Sequence, residues 1–283
     1  MPDHLDFDLQ PTGATGEPSK LIPPSRPAAR LIGIGLLVFG VGLAIYFIFG
    51  RTSAPVDEAP PLVQPTAQPA APLGATPEAI DVPPLDESDP LVRELVAKLS
   101  SHPGVAAWLA TDGLVRNFTV VVANIAEGRT PAGHLRALAP SGSFRIIERN
   151  ESLFIDPQSY TRYDRIADAV ASVDAAGSAR LYSTLKPRIE DAYRDLGVQD
   201  VPFDRTLERA IVSLLAMPIP EGPLEVEPRG IVYGYADPDI ESATAAQKQL
   251  LRMGPRNARV IQQKIREIAL ELGVAVGRLP AAR

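Results

Sequence analysis

Cysteine is absent from this chain, and histidine occurs only at His4, His102 and His134. The first absence excludes disulfides and a lipoprotein anchor, so outside the cytoplasm the protein depends on its hydrophobic core for stability. The three histidines form neither the His-x-x-x-His nor the His-Glu-x-x-His spacing that zinc sites use. We therefore expect no metal and no cofactor.

Catalytic motifs are also scarce, and the sequence contains no Gly-x-Ser-x-Gly nucleophile motif. Glu151-Ser152 resembles the dipeptide around the acid of lytic transglycosylases, but it falls in an expected hairpin turn and no sugar-binding motif follows it. A glycoside-cleaving acid must stay protonated in a cleft. The sequence therefore names no catalytic residue. A hydrolase or lyase acting on an envelope polymer such as peptidoglycan remains an alternative function.

A strongly basic region is lacking as well. From Asp86 to its end the chain carries 26 acidic and 24 basic residues, which gives a net charge of −2. Proteins that bind nucleic acid through its phosphates need a basic surface. A nucleic-acid partner is therefore not expected.

What the chain does contain is one long apolar run, from Leu31 to Phe49, without a charged side chain and bracketed by Arg30 and Arg51. As a helix, nineteen residues reach about 28 Å, close to the roughly 30 Å of a bilayer's hydrocarbon core. The sequence therefore predicts a single transmembrane helix over residues 31–50.

The orientation of this helix follows from the basic residues beside it. Lys20, Arg26 and Arg30 precede the helix, whereas Arg51 alone follows it closely. Basic residues remain on the cytoplasmic side. We expect a signal anchor in a bacterial inner membrane, with a cytoplasmic N-terminus and a periplasmic C-terminal domain. Cleavage as a signal peptide near residues 52–54 is the alternative.

Small residues form a stripe within the predicted span. They are Gly33, Gly35, Gly40, Gly42 and Ala44. Small side chains let two helices approach closely, so this stripe is a candidate for self-association or for pairing with another membrane protein. The alternative is that glycine is simply common in spanning helices.

The remaining chain divides by composition. Residues 1–30 are polar and lack apolar periodicity, which predicts a disordered cytoplasmic tail. Residues 51–85 are rich in proline and alanine and predict an extended linker. Residues 86–275 predict one globular domain, and residues 276–283 predict a flexible C-terminal tail.

The predicted domain is mainly α with minor β, a compact multi-helix unit with about three short strands. Helical spacing of apolar residues begins at Ser88, Asp112, Ile166, Asp174 and Asp204, and the last two helices are divided by Gly254-Pro255. Two short runs separated by residues 149–152 predict a hairpin, and residues 230–236 alternate like a strand.

Four phrases in this domain are similar to a bacterial family of uncharacterised envelope proteins, the DUF3014 family. They are PLDESDPLVRELVAKLSSHPGVAAWLATDGLVRNF, NIAEGRTP, LYSTLKPRIEDAYRDLG and QKQLLRMGPRNARVIQQKIRE. The resemblance covers nearly all of residues 83–275. It implies one N-terminal span and a proline-rich spacer, and it carries no activity, cofactor or catalytic residue.

Two groups of side chains are candidates for ligand binding. Tyr160, Arg162 and Tyr163 combine two aromatic rings with a guanidinium, a set that can stack against a ligand and donate hydrogen bonds to it. The alternative is structural, with half-buried tyrosines, Arg162 paired with a carboxylate, and Asp164 capping the next helix.

The second group is Arg252, Arg256, Asn257 and Arg259, around the Gly254-Pro255 break. Free backbone N–H groups at a helix start favour an anion, so this group is a candidate small-anion site. The alternative is a solvated or intramolecularly paired cluster.

The expected function follows from two features, the predicted membrane span with its linker and the lack of a recognisable active site. We expect the periplasmic domain to act as a binding or assembly module for envelope components, with an envelope protein or a second copy of the chain as partner. A polymer hydrolase or lyase and a small-anion sensor are the alternatives. An exposed apolar patch of roughly several hundred Å² favours the binding module, and a deep cleft with two convergent carboxylates favours the enzyme.

Overall fold

A computed structural model describes residues 71–281, with the side chain of Ala137 excepted. The predicted cytoplasmic tail, the predicted span with its small-residue stripe, and most of the predicted linker lie outside the described residues.

Helices dominate the described part of the chain. They are α1 (Asp89–Ala97), α2 (Pro103–Leu109), α3 (Leu114–Ala126), α4 (Asp164–Ala171), α5 (Ala175–Asp195), α6 (Phe203–Ala216), α7 (Pro238–Glu241), α8 (Ala245–Arg252) and α9 (Pro255–Glu271). Local signals set several starts. Asp174 accepts hydrogen bonds from the N–H groups of Ala176 and Gly177, and Thr244 forms a reciprocal capping box with Gln247.

Four strands form one antiparallel sheet in the order β1-β2-β3-β4: β1 (Ile146–Arg149), β2 (Ser152–Ile155), β3 (Glu225–Arg229) and β4 (Val232–Tyr235). Arg149 pairs with Ser152 across a two-residue turn. Asn150 and Glu151 in this turn both have positive φ, of 51° and 65°, as a type I′ hairpin requires.

The mainly helical prediction with minor β structure is confirmed. The structure has four strands rather than about three. The sequence did not predict β3, because its stretch (EVEPR) contains a proline and has only one buried residue, Val226. Residues 103–109 also form a helix, which the sequence did not predict. Helix α5 runs continuously through Pro187.

Buried apolar side chains form two clusters. The helical core lies among α1, α2, α3, α5, α6 and the end of α9, with residues such as Leu114, Tyr182 and Phe203 at its centre. The sheet-side core lies between the sheet and α4, α8 and the first half of α9, with Ile155, Leu251 and Ile261 among its members. Helix α9 joins the two cores, since Ile265 packs against both.

Both ends of the described chain are held against the helices. The N–H of Leu73 donates to Asp204 Oδ2 at 3.0 Å, and the N–H of Gly74 donates to the Leu272 carbonyl at 2.9 Å. Near the C-terminus, Arg266 donates to the Pro280 carbonyl at 2.6 Å. Packed structure therefore extends on both sides of the predicted domain limits, from residue 73 to residue 280.

Within residues 71–281, no single helix is long and apolar enough to cross a membrane. Helices α2 and α3 reach that length and composition only as a pair, and their axes meet at 106°. Both contribute buried side chains to the helical core.

Candidate functional site

A cavity of about 430 Å³ lies inside the helical core. Its walls come from seven helices and their immediate ends: α1, α2, α3, α4, α5, α6 and α9. Well-packed protein interiors contain few voids larger than a water molecule, and a void of about 150 Å³ already holds benzene. This space is therefore of the size that proteins use for ligands, roughly 300–1,000 Å³.

The packing of the helices explains why the space remains open. Helix α3 packs chiefly on α5 and α6, whereas α4 packs chiefly on α9 and α2. Both α3 and α4 direct apolar side chains into the cavity, among them Phe118 from α3 and Ile166 and Val170 from α4. The cavity lies where these side chains converge.

The cavity wall is almost wholly apolar. Its two hydroxyl-bearing residues are Ser178 and Tyr182, and both hydroxyls are used elsewhere. Ser178 Oγ donates to the Asp174 carbonyl at 2.6 Å, and Tyr182 Oη donates to Asp204 Oδ1 at 2.5 Å. No charged side chain of the described residues lines the cavity. The site can therefore bind hydrocarbon, and it has no free hydroxyl or charge to fix a polar group.

Solvent reaches parts of this wall. Trp108, Phe118 and Leu181 all line the cavity and remain partly exposed although they pack against the helical core. Leu138 also lines it, from a short 3₁₀ turn (Arg136–Leu138) that packs on α2 within the long connection between α3 and β1. The cavity is thus an accessible site, bordered on one side by this connection.

A second, more open depression of about 470 Å³ lies on the opposite face of α3. It is polar, with Arg116, Asn117, His134 and Arg136 among its lining residues. Arg116 donates to Asp86 Oδ1 at 2.7 Å and lies 3.4 Å from Asp195 Oδ2, so its charge is already neutralised by two carboxylates.

The two groups of candidate residues from the sequence analysis are joined at Asn257, on the edge of the sheet-side core. Asn257 is 1% exposed, and its Nδ2 donates to the Tyr160 carbonyl at 3.1 Å, Asp164 Oδ1 at 2.9 Å and the Met253 carbonyl at 3.0 Å. Its Oδ1 accepts from Arg256 Nη1 at 2.8 Å. The amide of Asn257 is therefore fully engaged inside the protein.

Arg256 completes this cluster from the surface. Its guanidinium lies 3.6 Å from Asp164 Oδ1 and 3.3 Å from Asp168 Oδ1. An anion that binds at this helix start would have to compete with the carboxylates of Asp164 and Asp168 for the guanidinium of Arg256. Asp164 is the first residue of α4 and accepts from Asn257 rather than capping its own helix.

Tyr160 lies against Gly254, which has a φ of 85°; a Cβ at that position would fall 2.4 Å from Tyr160 Cγ. The hydroxyl oxygen of Tyr160 is buried without a hydrogen-bond partner among the described residues. Burial raises the pKa of Tyr160 to about 12. Burial also raises the pKa of Tyr235 above its usual range, with the charge of Arg252 opposing the shift.

The remaining candidates are dispersed. Tyr163 is 1% exposed and belongs to the interior. Arg162 donates to the backbone carbonyls of Ser159 and Gly142 and lies 5.3 Å from the centre of the Tyr163 ring. Arg259 lies apart from Arg256 and donates to Glu221 Oε1 at 2.7 Å.

The family of the chain follows from comparison with known sequences. The model of a family described as a protein of unknown function, DUF3014, matches residues 114–269. The chain belongs to the DUF3014 family. No curated protein and no solved structure matches it. The matched region of this DUF3014 protein starts with α3 and ends within α9, so it includes most of the cavity wall, whereas α1 and α2 precede it.

The cavity of the DUF3014 domain was not predicted from the sequence. Its lining residues on α5 follow helical spacing, which indicates a buried face and gives no sign of whether neighbouring helices fill the space beside it. Within residues 71–281, no group of three His, Cys, Asp or Glu side chains is arranged to hold a metal ion.

Proposed function

We propose that this DUF3014 protein is a binding module of the bacterial cell envelope that takes an apolar ligand into the cavity of its helical core. The observation behind the proposal is the cavity. Its volume is in the range of ligand sites, its wall is apolar, and both hydroxyl groups of the wall already donate hydrogen bonds within the protein. In this proposal the predicted span at residues 31–50 holds the domain on the periplasmic side of the inner membrane, where apolar envelope molecules are available.

The cavity favours binding over cleavage of an envelope polymer. A hydrolase or lyase needs an acid in a cleft, often with a second carboxylate, and no carboxylate lines the cavity. Glu151 is exposed in the turn between β1 and β2. The anion-sensor alternative requires an anion to displace Asp164 and Asp168 from Arg256, so it receives less support than the apolar site.

The test compares the lipids retained by three full-length proteins purified from bacterial membranes. Val170→Phe places a ring into the cavity, and Ala171→Phe places the same ring on the exposed face of α4 next to it. All three proteins share the same anchor, so lipids held by the anchor cancel. We expect one apolar class to be enriched in wild type and Ala171→Phe and lost from Val170→Phe. Identical profiles in the three proteins would contradict the proposal.

A further inference from the structure

We infer that the cavity binds a single linear hydrocarbon chain, the acyl or prenyl part of an envelope amphiphile, laid along α5. This inference rests on the proposed function and specifies its ligand. It is carried by the length, volume and polarity of the cavity.

Helix α5 supplies the longest stretch of the cavity wall. The residues of this helix that line it run from Ser178 to Ile189, through Leu181, Tyr182 and Leu185. Eleven helical steps correspond to about 16 Å along the axis. The wall on α5 is therefore long enough to lie alongside an extended chain of about that length.

The volume shows how much ligand fits into that length. Spread over about 16 Å, the cavity of about 430 Å³ has a mean cross-section of about 26 Å². On the scale at which about 150 Å³ holds the six carbons of benzene, the cavity holds roughly 17 carbons. An extended chain that advances about 1.2 Å per bond needs roughly 14 carbons to reach from end to end. The number of carbons that the volume holds is thus close to the number in one extended chain of this length, and little volume remains for a second chain.

The polarity of the wall fits a methylene chain along its whole length. Apolar side chains such as Val96 and Trp108 from α1 and α2 lie on one side, and Ile265 and Ile268 from α9 contribute to another. A sugar, peptide or nucleotide would lose many hydrogen bonds with water here, and beyond the two engaged hydroxyls the indole N–H of Trp108 is the one side-chain donor among the lining residues. The polar end of the amphiphile therefore stays outside the cavity.

The experiment reads the position of the chain along α5. Full-length protein in bilayers receives hexadecanoic acid that carries a photoreactive diazirine either near its carboxyl end or at its terminal carbon, and the crosslinked residues are mapped. A threaded chain places the two labels on opposite ends of the segment Ser178–Ile189. Val170→Phe should lower both yields about tenfold, because the added ring occupies space that the chain would need, and Ala171→Phe should leave them unchanged.

Three outcomes are distinguishable. Separated labels that are lost in Val170→Phe support the inference. The inference of a linear chain is overturned if both probes label the same part of the cavity. It is also overturned if an adamantane-type ring displaces the probes as well as tetradecanoic acid does. Either result leaves the proposed apolar binding site in place. No cavity labelling in wild type, or equal labelling in Val170→Phe, overturns the proposed function itself. A farnesyl probe run in parallel shows whether a prenyl chain replaces the acyl chain.

Discussion

The two cores of this DUF3014 domain differ in character, because an apolar cavity lies in the helical core and a buried polar amide lies in the sheet-side core. The helical core is the larger one, and it encloses about 430 Å³ of unfilled space between α3 and α4. In the sheet-side core, the contact between α9 and the segment at Tyr160 is fixed by the buried amide of Asn257. The first region offers apolar space, and the second holds its elements in place through directional hydrogen bonds.

The difference has a physical origin. Asn257 satisfies backbone carbonyls of two separate segments, and a buried polar group of this kind tolerates only one geometry. The wall of the cavity is apolar, and its two hydroxyls form their hydrogen bonds away from the space, with Asp204 and with the Asp174 carbonyl.

The strongest test of the sheet-side core is Gly254→Ala. Its positive φ disfavours a side chain, and the new methyl would collide with the Tyr160 ring, so we expect a loss of about 4 kcal/mol in the free energy of unfolding. The control is Gly273→Ala, which has the same sign of φ, 84°, but open space around it. It should cost only about 1 kcal/mol. Urea denaturation of both variants checks the difference, and equal losses would show that the contact with Tyr160 is unimportant.

Truncating a leucine in each core compares their packing directly. Leu251 is 1% exposed in the sheet-side core, and Leu251→Ala should lose about 3 kcal/mol because it leaves a new void. Leu181 faces a space that already exists, so Leu181→Ala removes fewer contacts and should lose about 1.5 kcal/mol. Thermal and urea unfolding without added lipid measure both values. A larger loss for Leu181→Ala would mean that the helical core is as tightly packed as the other.

Removing the amide of Asn257 tests the polar contact. Asn257→Ala leaves the Tyr160 and Met253 carbonyls buried without this donor, and we expect a loss of about 2 kcal/mol. Asn117→Ala is the control, since Asn117 lines the open depression on α3 and is partly exposed; its effect should stay within about 0.5 kcal/mol. Amide hydrogen exchange should show faster opening at the start of α9 in Asn257→Ala only.

The last test concerns alkaline pH. The pKa of Tyr160 is raised by burial from 10.0 to about 12, so the folded protein keeps this proton after the unfolded chain has lost it. Stability should therefore be unaffected by this group below pH 10 and fall as the pH rises from 10 to 12. Tyr160→Phe removes the titrating group, and its unfolding free energy should decrease less over this range. Identical pH profiles for the two proteins would contradict the assigned burial of the hydroxyl.

Much of the architecture was predictable because its signals are local. The periodicity of apolar residues predicted α5 and α6, and the residues between β1 and β2 predicted their hairpin. Local signals gave the wrong prediction where a hydrogen-bond partner lies far away in sequence. Asp112 was expected to start α3, yet Asp89 accepts from the N–H groups of Gly113 and Leu114 at 2.7 and 2.8 Å, while Asp112 pairs with Arg93.

The sequence by itself determined the family, the mainly helical composition of the domain and the side chains that would be notable for their chemistry. Only the tertiary structure decided what those side chains do: Arg256 and Asn257 meet Tyr160 and Asp164 across more than 90 positions and bind one another. It also decided the existence of the cavity. An apolar helix face has the same pattern whether a neighbour fills the space beside it or leaves it open, because the pattern records burial from water and not the distance between helices.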